Sequence, residues 1–165
     1  GFLDLASVVQ GRLLDGAITD GELGGGFIVA SPRIARAFRL VARANVSRIF
    51  ASTENRIYLV GGDTGLRGYP IGAFVGPARL IANVEVRSLP RKVGFARMGA
   101  VLFLDAGHAA ASLRALDIHP NVGAGVRAVL PYSDITTWRV DWAFPTSGAN
   151  AGWPGRISAG FEQVF

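Results

Sequence analysis

Two histidines, His108 and His119, flank the short alanine-rich stretch AAASLRAL, where they could share a metal ion or serve a nearby Ser112 as a base. Neither chemistry is supported by the surrounding residues. No acidic pair with ligand spacing joins the histidines, and there is no cysteine anywhere in the chain to supply a thiolate. Ser112 lacks the strand-turn-helix surroundings of a nucleophile elbow. The run GAGVRA at Gly123–Ala128 spells G-x-G-x-x-A, but it sits inside an alternating segment and opens no helix, so a dinucleotide is not expected there. The glycines Gly61 and Gly62, upstream of Arg67, lack the G-K-[ST] ending of a phosphate loop. Neither enzyme activity nor a cofactor or metal is therefore expected. AAASLRAL itself suits a helical turn within a loop.

Of the 17 basic residues only Lys92 is a lysine, and the net charge is +5. Arginine excess raises nucleic acid as a partner. The arginines are spread almost evenly from Arg12 to Arg156, however, and they form no basic stripe with interleaved aromatics. Such even spacing suggests a repeated structural role.

That role follows from the period of the elements. ARLIANVEVRSL at 78–89 sets Arg79, Asn83, Glu85 and Arg87 against Leu80, Ala82, Val84 and Val86. Strict alternation of this kind is the mark of a strand with two unlike faces. The same rule runs through the segments that follow, setting Asp105 against Leu102 and Leu104, Arg127 against Val126, Asp141 against Trp142, and Glu162 against Phe161. It holds more loosely at the start of the chain. Eight strands are expected, at 2–13, 22–32, 36–49, 78–89, 94–106, 121–131, 136–144 and 156–165.

The connections alternate between short (ASPRIARA, SLPRKVGF, PYSDITT) and long (14–21, 50–77, 107–120, 145–155). An even strand count with alternating short turns and long loops is the pattern of an up-and-down barrel in a bacterial outer membrane. Strands of about ten residues, tilted by 35–45°, span the roughly 25 Å apolar band. No run reaches the roughly 18 consecutive apolar residues of a membrane helix. Alternation alone does not say which face meets lipid. Charges of both signs on the polar face suit an enclosed interior, and Trp138, Trp142, Phe144, Phe161 and Phe165 suit interfacial girdles, so the apolar face is expected outward. No leader peptide is read in the first ten residues.

The segment LVGGDTGLRGY at Leu59–Tyr69 pairs two glycines with the tetrad Leu66, Arg67, Gly68 and Tyr69. Two strands on, Phe103-Leu104-Asp105-Ala106-Gly107 spells F-x-D-x-G, and the intervening strand supplies Glu85. In these motifs and their order the chain resembles the superfamily of outer-membrane assembly and translocation barrels that includes BamA, TamA and FhaC, of the surface-antigen type. The resemblance covers nearly the whole chain and corresponds to the C-terminal barrel half. The alternation leads to the expectation of an eight-stranded antiparallel transmembrane β-barrel as a single domain, closed by pairing of 2–13 with 156–165; with eight strands and no POTRA domain it departs from the family, either as a natural miniature barrel, the favoured reading, or as a piece of a longer protein. The resemblance implies that the long loop folds back inside and that Arg67 bonds Asp105 and Glu85. It also implies that the closing strand, with Phe161 and Phe165, carries the C-terminal assembly signal. Such barrels are typically twice this size. An interior of eight strands is tightly filled by a folded-in loop, which puts the tetrad at the barrel mouth.

The function implied is non-enzymatic assistance to protein insertion or translocation in the bacterial outer membrane, with outer-membrane lipids and client outer-membrane proteins as partners and self-association left open. A structural or interaction barrel without transport, and a small anion-selective pore drawing on the arginine surplus, are the alternatives.

Overall fold

β-Branched and aromatic residues on one face of each segment, with arginine, asparagine and acids on the other, make ladder formation the favoured use of the backbone in this chain. The computed structural model describes residues 1–63, 65–130, 136–147 and 154–163, and it is all-β. The elements are β1 (Phe2–Leu14), β2 (Ala17–Ala30), β3 (Phe38–Phe50), β4 (Tyr58–Val60), β5 (Phe74–Gly76), β6 (Ala78–Ser88), β7 (Arg91–Val93), β8 (Ala96–Ala110), β9 (His119–Val129), β10 (Thr136–Pro145) and β11 (Arg156–Gln163). The only other regular element among the described residues is a 3₁₀ turn at Leu113–Ala115, inside the stretch expected to make a helical turn. No helix among the described residues is long and apolar enough to cross a membrane.

The long strands form one antiparallel sheet in the order β1-β2-β3-β6-β8-β9-β10-β11. Three features depart from the sequence reading. First, β7 adds a ninth, short strand by pairing with β8 at the turn after Ser88, and β4 and β5 make a separate two-stranded sheet within the long loop. Second, 14–21 is no long loop: β1 and β2 form a tight hairpin turning at Asp15 and Gly16, with φ of 48° and 76°. Positive φ at both central residues is the geometry that an Asp-Gly pair supplies, and it matches the twist of the flanking strands. Third, the expected ladder between β1 and β11 is not formed among the described residues, so the sheet runs open from one to the other.

On the strands beneath the long loop the polar face is the covered one. Asn83, Glu85, Asp105, Asn121 and Asp141 are buried, whereas the aliphatic and aromatic residues that alternate with them are exposed, Leu102 by 64%, Trp138 by 47% and Ile157 by 68%. Buried apolar residues on the polar face gather into two small clusters. Val60, Leu66, Tyr69 and Ala109 form one, with Phe74 and Ile81 packed against it, and Val101, Phe103 and Ala143 form the other. The long loop reaches this face and packs on β6 and β8.

Candidate functional site

The register of the sheet determines what the loop meets. Asn83 of β6 pairs with Asp105 of β8, which pairs in turn with Asn121 of β9. Glu85 lies two residues from Asn83, and Asp141 of β10 is opposite Gly125 of β9. Period-two alternation turns all these side chains to one face, which leaves carboxylates from β6, β8 and β10 converging beneath the loop.

Arg67 fills the space between them and is only 3% exposed. Its Nε donates to Asp105 Oδ2 at 2.9 Å and its Nη2 to Asp105 Oδ1 at 2.6 Å, a bidentate pair. Nη1 lies 2.9 Å from Glu85 Oε1 and 3.4 Å from Asp141 Oδ2. The main-chain N–H of Arg67 also donates to Asp105, at 3.3 Å. Beneath the guanidinium plane lies the Phe103 ring, its centroid 3.4 Å from Cζ, a cation–π contact. The expected bonds from Arg67 to Asp105 and Glu85 are therefore both formed.

The remaining residues of the motif shape the seat. Leu66 is fully buried. Gly68 lies so close to the wall that a Cβ there would come within 2.8 Å of the Asn121 side chain and 3.1 Å of the Pro145 nitrogen. The Tyr69 hydroxyl is 3.2 Å from the carbonyls of Pro120 and Ser147, and the Tyr69 carbonyl accepts from Arg156 Nη1 at 2.8 Å. Gly107 sits beside the Leu80 carbonyl, with no room for a side chain. Arg67 thus reaches the mid-strand residues Asp105 and Asp141, whereas Gly68 and Tyr69 meet Pro120, Asn121, Pro145 and Ser147 at the strand ends and the connection beyond. Of the pair assigned to the C-terminal signal, Phe161 is exposed on the apolar face, edge-on to Trp138 at 4.4 Å, and Phe165 lies outside the described residues.

Several participants were not singled out from sequence. Asp141 binds Arg127 at 2.6 Å and Arg139 at 3.8 Å as well as Arg67, Glu85 is also held by Arg87 at 2.6 Å, and the cluster thus sets Arg67, Arg87, Arg127 and Arg139 against three carboxylates. Asn83 donates to Asp105 Oδ1 at 2.7 Å and to the Gly65 carbonyl at 2.9 Å, and it accepts from Arg43 Nε at 2.8 Å. Asp141 and Asn83 had the right parity, but nothing in a linear sequence gave their distance from Arg67. Gly125 is small for a visible reason: a Cβ there would collide with Asp141 and crowd Arg127. The fingerprint-like glycines thus make room for the ion-pair cluster.

The loop is strapped down at its start as well. Tyr58 donates to Glu22 at 2.7 Å and Arg56 pairs with the same carboxylate at 3.0 Å, while Thr53 donates to Asp20 from both its N–H and its hydroxyl at 2.7 Å. Burial, reinforced by the neighbouring Glu22 carboxylate, pushes the Tyr58 phenol up to about 12. At the far end, His119 stacks on Phe74 at 4.5 Å, His108 approaches the same ring edge-on at 4.8 Å, and His108 Nδ1 accepts the Asp117 N–H. Among the described residues no group of three or more metal-ligating side chains converges. Beside the Arg67 cluster, under β1–β3 and β6, a cavity of about 330 Å³ is lined in part by Asp4, Arg43, Asn45, Asp63 and Arg79.

Chemically the arrangement holds a loop. It combines a buried guanidinium satisfied from several sides with an aromatic floor. No family model, curated protein or solved structure matches the chain.

Proposed function

We propose that the chain is an eight-stranded outer-membrane β-barrel related to the BamA-like assembly and translocation proteins, closed by β1 against β11, that acts without enzymatic chemistry in membrane insertion of other proteins. The observation that carries this reading is the position of Arg67. The arginine of the LRGY tetrad is buried on Asp105 and Glu85 at the polar face of a sheet whose opposite face is aliphatic and exposed. An exposed apolar belt of this extent calls for a partner surface, and hydrocarbon matches it along every strand. In that solvent each open edge would leave backbone groups unpaired, which favours closure of the two free strands on each other.

A second reading, a structural barrel that transports nothing, is favoured by the seating of the loop on the polar face, where it fills interior space that a pathway would need. The two are separated by reconstituting the purified chain in liposomes and adding an unfolded client barrel. Faster client folding supports the first reading, and no acceleration at any protein-to-lipid ratio supports the second. Discrete single-channel conductance would displace both in favour of an anion pore built on Arg43 and Arg79.

A further inference from the structure

The short-turn end of the sheet has a chemistry of its own. Between Ser31 and Ala37 and between Leu89 and Arg97 the sequence holds Arg33, Arg36, Arg91, Lys92 and Arg97, with no acid in either segment. At the opposite end, the hairpin and loops mix Asp15, Asp20, Glu54, Asp63 and Asp117 with Arg56, Arg67 and Arg114, and the remaining short connection, PYSDITT, holds Asp134. The two basic turns are neighbours in space. The Leu89 N–H donates to the Ala37 carbonyl at 2.8 Å, and Phe38 is paired with Ser88. All five cations are exposed.

The register adds an unfavourable contact that nothing within the two turns relieves. β7 pairs with β8 so that Lys92 lies directly opposite Arg97, two cations across one ladder rung. Like charges so placed oppose strand pairing. Interleaved with the cations are exposed apolar tips, Ile34 at 51% and Phe95 at 77%. Cations alternating with apolar side chains, at the margin of an exposed aliphatic belt, complement a surface that carries phosphates outside and hydrocarbon beneath.

We propose that this turn face binds the phosphates of anionic phospholipids in the leaflet it meets, with Phe95 and Ile34 set among the headgroups and Lys92 and Arg97 sharing phosphate oxygens. This rests on the membrane-spanning reading above. The anion offsets the Lys92–Arg97 opposition, so the lipid both anchors the turns and completes their electrostatics.

The test uses the full chain in bilayers of phosphatidylcholine alone and of phosphatidylcholine mixed equally with phosphatidylglycerol. Two quantities are read: heat-modifiable gel migration with protease protection for insertion, and the ratio of bound phosphatidylglycerol to phosphatidylcholine by native mass spectrometry. The native chain should favour phosphatidylglycerol, and each turn cation neutralised, as in Arg36→Gln or Arg91→Gln, should lower the ratio by about fivefold at low salt. Arg114→Gln, at the other end, should leave it unchanged. Lys92→Glu should lower the lipid ratio while raising Tm in uncharged detergent by about 2 °C, because it repairs the rung with Arg97. A merely structural role for Lys92 would not move the two in opposite directions. An inserted, heat-modifiable chain that shows no preference between the lipids overturns the lipid site and leaves the membrane reading standing. A chain that inserts in neither bilayer overturns the two together.

Discussion

Arg67 is the residue on which the loop's position depends, and lysine could not replace it. A guanidinium presents a rigid fork of donors, enough to engage both Asp105 oxygens while another nitrogen faces Glu85 and Asp141. An ammonium is a single point of charge. Arg67→Lys should forfeit at least one charge-assisted bond, about 1.5–3 kcal/mol. Arg67→Ala should cost about 3–5 kcal/mol, because it leaves the buried Asp105 carboxylate without its cation. Both losses are read as a fall in the urea midpoint of the folded chain, with protease cleavage appearing within residues 51–73. An Arg67→Ala chain with an unchanged midpoint and an intact loop would mean that the cluster does not fix the loop. Replacing Arg67 by Met together with Asp105→Asn and Glu85→Gln should recover much of the loss, since neutral groups of similar size carry no desolvated charge. At this scale the sequence was informative in part. The parity of Glu85 and Asp105 was legible from their own strands, and the resemblance of the tetrad joined them to Arg67. The roles of Asp141, Asn83 and the Phe103 floor depend on strand register and on the depth of the loop, which no periodicity encodes.

Among the elements, alternation placed most strands within a few residues, because one face must be apolar throughout while the other carries charge. It failed where backbone geometry and not burial decides. The Asp15-Gly16 turn falls within an expected long loop, because Ala17–Gly21 alternates poorly, although Ala17, Ile18 and Thr19 pair with β1 as far as the register shift before Glu22. The β4–β5 hairpin was missed for a related reason: three-residue strands are too short to show a period. That hairpin is anchored through Tyr58, and the anchor has a pH signature. The phenol, raised from about 10 to about 12, keeps its proton in the folded chain after it would lose it in the unfolded one. The folded state then binds more protons, so the contribution of Tyr58 is complete below pH 10 and fades as pH rises through 12. Phenolate absorbance should show one component centred near pH 12 that disappears in Tyr58→Phe. A difference titration centred near 10 would show that the phenol is not held by Glu22.

For the whole molecule, closure of the proposed barrel is a matter of topology, and the cysteine-free sequence makes it directly testable. In the register of β1, β2 and β3, Ala6 lies opposite Gly26, which lies opposite Asn45, so Ala6 belongs to the polar face, as do Asp4 and Val8 by alternation. In β11, Ser158 and Gly160 share that face, opposite Asp141 and Arg139. Closure of the proposed barrel brings these two sets together across an antiparallel seam, whereas an open sheet keeps them at its far edges. A disulfide forms only when its Cα atoms come within about 4.4–6.8 Å. Double variants pairing Cys at 4, 6 or 8 with Cys at 158 or 160 should therefore include at least one that oxidises within a monomer in bilayers. That crosslinked chain should keep its compact migration after heating that unfolds the reduced form. If no pair crosslinks although the chain is inserted and protease-resistant, the seam is not made by β1 and β11, and the edges must be satisfied by strands from another copy. In that event dilution should abolish the compact form, since intermolecular pairing depends on concentration and closure within one chain does not.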